Sequence, residues 1–86
     1  MDHDGEPLYT IELRILRGEE QEIVKHHTAK TPEDAEAFVD ALRDTWFRRH
    51  EVTWQTTEVN AEGNMYGLAP GGTVYAIMVI PPLIAA

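Results

Sequence analysis

The sequence contains no cysteine and no serine. The first absence excludes disulfides, thiolate metal sites and a thiol nucleophile. The second leaves threonine and tyrosine as the hydroxyl nucleophiles, and each needs an adjacent base to act. No threonine falls in such a constellation, and Thr53, Thr56 and Thr57 are accounted for by strand propensity. Cationic side chains are scarce as well: 7 Lys and Arg stand against 15 Asp and Glu, a formal net charge of −8. Binders of nucleic acid or anionic membrane present a basic face, so neither partner is expected. Long apolar runs are missing too. The longest, Val74 to Ile84, is broken by Pro81-Pro82 and falls short of the ~20 residues that span a bilayer. The first residues, Met1-Asp2-His3-Asp4-Gly5-Glu6, are acidic, whereas a secretory leader is basic and then apolar. The expected setting is the cytoplasm.

What is present suits one small domain. The chain has 86 residues, of which 43% are hydrophobic. A domain of this size buries only about 60–65% of its unfolded surface, so it depends on close packing, a ligand or a partner chain. The expected division is a disordered arm over residues 1–6, a single domain over 7–82 and an apolar tail over 83–86.

The clearest local signal is a helix over residues 32–49. Thr31 is a good N-cap, and Pro32 follows at the first helical position, where a missing N–H costs nothing. Glu33, Asp34 and Glu36 suit the positive end of the helix dipole; Arg48, Arg49 and His50 suit the negative end. Ala35, Phe38, Val39, Leu42 and Trp46 repeat at helical spacing and form one apolar stripe.

Strands flank this helix. Tyr9, Ile11, Leu13 and Ile15 alternate with polar residues, and Arg17-Gly18-Glu19 supplies a turn. The return strand, residues 20–28, is poor in apolar side chains and reads as a sheet edge. After the helix, residues 52–59 are β-branched and aromatic, 65–68 form a short strand, and 73–80 are almost wholly apolar, as in a central strand. The expected class is α+β: a single helix on a four- to five-stranded mixed sheet, in the order ββαββ(β). That order resembles the β-grasp architecture, which implies a parallel pairing of the first and last strands at the centre of the sheet. The rival arrangement is a plain antiparallel sheet with one helix. β-Grasp modifier proteins end in Gly-Gly; this chain closes on Leu83-Ile84-Ala85-Ala86, so the resemblance implies no conjugating role.

Chemistry is thinly supplied, and no catalytic residue, metal ligand or cofactor is assigned. His26 and His27 are neighbours on a strand and point to opposite faces, which prevents joint chelation. His3 lies on the acidic arm between Asp2 and Asp4. Glu33, Glu36, Asp40 and Asp44 share a helix face that reads as solvated, with Arg43 and Arg48 at hand to screen the last two. The glycines between 63 and 72 precede a strand and not a helix, so they read as turns and not as a phosphate cradle.

Contact residues are better represented. Met65, Tyr66 and Leu68 flank a glycine, Phe47 falls beside the helix stripe, Trp54 depends on strand register, and Leu83 and Ile84 are apolar near the end of the chain. These seven are the candidate interaction surface. They point to a protein-interaction module, a homodimer or the small subunit of an assembly. The alternative is a small-molecule or metal-binding domain that uses a pocket between the helix and the 65–68 segment, or the histidines.

Overall fold

The computed structural model describes residues 8–56 and 58–82. The expected arm over 1–6 and tail over 83–86 lie outside the described residues.

The elements follow the sequence pattern closely. They are β1 (Tyr9–Arg17), β2 (Glu20–Ala29), α1 (Pro32–His50), β3 (Thr53–Trp54), β4 (Asn64–Leu68) and β5 (Val74–Ile80). The two-residue turn between β1 and β2 places Gly18 at φ +63°, where only glycine is free of a side-chain penalty. Thr31 caps α1 as its sequence implies, its hydroxyl accepting from the Asp34 N–H at 3.1 Å, and Pro32 opens the first turn. At the other end Glu51 takes a left-handed conformation, φ 57°, and donates its N–H to the Phe47 carbonyl at 3.1 Å. That contact and Val52 N–H to the Trp46 carbonyl close the helix and turn the chain into β3.

One five-stranded sheet forms, in the order β2-β1-β5-β4-β3, and α1 packs on one of its faces. The molecule is therefore α+β. The last strand occupies the centre of the sheet, as its apolar run implies. Its direction differs from the β-grasp expectation, because β5 pairs with β1 antiparallel. Every other pairing is antiparallel too, so the sheet is not mixed. The reason is strand parity. Chain direction alternates through β1, β2, α1, β3, β4 and β5. With three strands after the helix the last runs against the first; with two it would run alongside. The strand expected over 52–59 shortens to two residues, because the chain leaves the sheet after Trp54.

Alternation along β1 and β5 sends Ile11, Leu13, Tyr75 and Ile77 to the helix side. There they meet Ala35, Val39, Leu42 and Trp46 of α1, together with Val52 and Met65. Ile11, Leu13, Val52 and Ile77 have no exposed surface.

Candidate interaction surface

The register that fills the core also fixes what stands on the opposite face. Val74, Ala76, Met78 and Ile80 of β5 lie opposite Leu16, Arg14, Glu12 and Thr10 of β1. On the other side of β5, the partners are Leu68, Tyr66 and Asn64 of β4. Beyond β1, Ile23 of β2 lies opposite Arg14. Among the described residues no second layer covers this face. Leu68 is 50% exposed and Ile80 43%, while Tyr66, Val74, Met78 and Leu16 are half-buried by their neighbours in the sheet. An apolar band thus crosses four strands.

One ionic group interrupts the band. Glu12 lies on this face between Met78 of β5 and His26 of β2, yet is only 9% exposed. Its carboxylate accepts from Arg14 Nε at 2.9 Å and also from Nη2, while Arg14 Nη1 donates to Gln21 Oε1. Burying a carboxylate is costly unless donors surround it, and the guanidinium supplies two. The period of two brings Glu12 and Arg14 to one face, and the hairpin brings Gln21 beside them. A central arginine pair within apolar surroundings can set the register of a contact.

The seven candidate residues divide. Tyr66 and Leu68 lie on the open face. Phe47, 58% exposed, and half-buried Trp54 lie on the helix side and line a shallow cleft of about 310 Å³ with Arg43, Asp44, Thr53 and Thr56. Trp54 is anchored there, its indole N–H donating to the Arg43 carbonyl at 2.9 Å. Met65 requires correction: alternation turns it to the helix side, where it is 1% exposed and is a core residue, not a contact residue. Leu83 and Ile84 lie outside the described residues. Ile80, Met78, Val74, Ile23 and the Glu12–Arg14 pair belong to the open face without having been singled out from the sequence. The detectable signal was the even-numbered set of β5, which is as apolar as the odd-numbered set.

The histidines are dispersed. His26 lies opposite Glu12, whereas His27 turns to the helix side and stacks on Phe38, ring centroids 4.0 Å apart. His50 lies at the far end of α1 beside Trp46. Among the described residues no three of His, Asp and Glu gather as a metal site. Asp40 pairs with Arg43 at 3.3 Å and Asp44 with Arg48 at 3.0 Å, so both carboxylates are engaged as the helical spacing implies. No helix among the described residues is long and apolar enough to cross a membrane.

A concavity of about 420 Å³ lies elsewhere than the pocket expected between the helix and the 65–68 segment. It opens between α1 and the start of β1, with Tyr9, Val39, Val59 and Val79 as apolar walls and Glu36, Asp40 and Glu58 at the rim. The 65–68 segment does not line it. Compared with known proteins, the chain matches no family model, no curated protein and no solved structure.

Proposed function

We propose that this domain is a protein-interaction module, the small subunit of an assembly that docks through the open face of its sheet. The observation that carries the reading is the apolar band formed by Leu68, Ile80, Tyr66, Met78 and Val74, which no other described residues cover. A contiguous apolar patch on one face of a small domain marks a contact surface, and tyrosine, methionine and arginine are the residue types such surfaces favour. The partner is a protein with an apolar patch of matching shape and a polar group able to meet the Glu12–Arg14 pair.

Site-specific photo-crosslinking in the native host tests this. A photoreactive side chain at Leu68 or Ile80 should give an adduct of one discrete mass, and the same group at Ala41 on the solvent side of α1 should not. The adduct should disappear when Tyr66→Glu is added. Absence of any adduct from the open face, or equal adducts from both faces, contradicts the proposal.

A second reading is favoured by the cleft beside Tyr9. Its apolar walls and carboxylate rim suit an organic amine with an aliphatic body, although Asp40 is partly neutralised by Arg43. Thermal-shift measurements with aliphatic amines test it, since a ligand of the native state raises apparent stability. An unchanged unfolding temperature across millimolar amines removes this reading.

A further inference from the structure

The strand at one edge of the sheet carries the inference. β2 is hydrogen-bonded to β1 alone among the described strands, so the backbone groups of its other side face outward along ten residues. Apart from Ala29 the whole strand is exposed. Ile23 and Val24, at its middle, are 51% and 37% exposed. The strand is also charged asymmetrically: Glu20 and Glu22 occupy its first half, Lys25, His26 and His27 its second.

A β-bulge makes this asymmetry self-complementary. The register against β1 shifts between Leu13 and Arg14: Lys25 lies opposite Leu13, Ile23 lies opposite Arg14, and Val24 is left without an opposite residue. In a regular strand residues 22 and 25 would point to opposite faces. Here Glu22 lies opposite Ile15 and Lys25 opposite Leu13, so the acid and the base share the helix-side face, with Glu20 and His27.

We propose that two copies of this chain pair antiparallel through β2, about a two-fold axis normal to the sheet at Ile23–Val24, to form one continuous sheet. This pairing goes beyond the interaction-module reading: it uses the sheet edge and leaves the open face to a different partner. In this pairing Glu22 of each copy meets Lys25 of the other, and Glu20 meets His27, whose ring is held in place by its stack on Phe38. Ile23 and Val24 meet their counterparts at the axis. Glu22 is already bridged by Arg17 at 3.1 Å on an exposed surface, and it keeps that contact while gaining Lys25. Among the described residues Lys25 has no ion-pair partner within its own copy. Parallel pairing would set like charges against each other, so the charge pattern selects the antiparallel, isologous arrangement. The competing account of a charged edge is protection against pairing of any kind.

Sedimentation equilibrium of the full chain, from micromolar to millimolar, separates the two accounts. The wild type should show a concentration-dependent monomer–dimer equilibrium. Lys25→Glu or Glu22→Lys alone sets like charges together at two symmetric positions and should weaken association about tenfold or more. The double variant Glu22→Lys/Lys25→Glu should restore it, with far-UV circular dichroism unchanged in all four proteins. A wild type that stays monomeric to millimolar concentration, or single variants that dimerise as well as the wild type, overturns the pairing. If photo-crosslinks from Leu68 to a different protein persist under that result, the pairing falls while the module reading stands; if they too are absent, both fall.

Discussion

Gly67 and Trp54 share one volume on the helix side of the sheet. A Cβ built on Gly67 comes within 2.6 Å of Trp54 Cε3 and 2.5 Å of Val52 Cγ1. The absence of a side chain on β4 is what lets the indole lie flat over the strand and reach the Arg43 carbonyl. Gly67→Ala should therefore displace Trp54 and cost about 1–3 kcal/mol in urea-induced unfolding, the range for overpacking. Gly72→Ala probes a different effect, because nothing lies within 4 Å of that position and any cost comes from its φ of +93°. Trp54 fluorescence should shift in the first variant and not in the second.

The C-terminal end of α1 offers a stabilising change. Glu51 is a non-glycine residue held at φ 57°, a conformation in which a Cβ is penalised. Glu51→Gly should raise stability by about 0.5–1 kcal/mol, after allowance for the greater freedom of the unfolded glycine. Chemical denaturation at neutral pH checks the sign.

The Glu12–Arg14 pair should behave as a unit. Arg14→Leu leaves a 9%-exposed carboxylate without its two donors and should cost about 1–3 kcal/mol. Replacing both residues, Glu12→Leu with Arg14→Leu, should recover much of that loss while increasing the apolar area of the open face. A double-mutant cycle by thermal unfolding gives the coupling, and aggregation of the double variant reports the enlarged patch.

Two isoleucines of one strand separate core from surface. Ile77→Ala removes a side chain with no exposure and should cost about 2–5 kcal/mol. Ile80→Ala, at 43% exposure on the other face, should cost about 1 kcal/mol or less in the isolated chain. Unfolding midpoints of the two variants should differ by well over 5 °C for a domain of this length.

Much of this architecture is legible in the amino acids. Thr31-Pro32 starts the helix where its capping chemistry implies, and the apolar run of residues 73–80 reports a central strand. Alternation from Tyr9 to Ile15 identifies the core face of β1. Strand direction is not legible in the same way, because side-chain patterning is unchanged when a strand is reversed. Parallel or antiparallel pairing of β1 and β5 hung on whether Thr53–Trp54 counts as a strand of its own. Burial of Glu12 was equally hidden, since its place in the pattern is that of a solvated residue. Of the residues read as contact candidates, Tyr66 and Leu68 lie on the open face, whereas their neighbour Met65 turns inward with the pleat. Ile80 and Met78 belong to a strand so uniformly apolar that its two faces read alike.

If the face of the sheet opposite α1 is the docking surface, it is covered by protein in the native setting. Hydroxyl-radical footprinting tests it most directly, with the labelling of Tyr66, Leu68 and Met78 compared between the dilute isolated chain and the chain in its native host. Buried Met65 serves as the unlabelled reference and exposed Phe47 as the reference for open solvent. The account expects strong protection of Tyr66, Leu68 and Met78 in the host with Phe47 unchanged. Equal labelling of those three residues in both settings would contradict it.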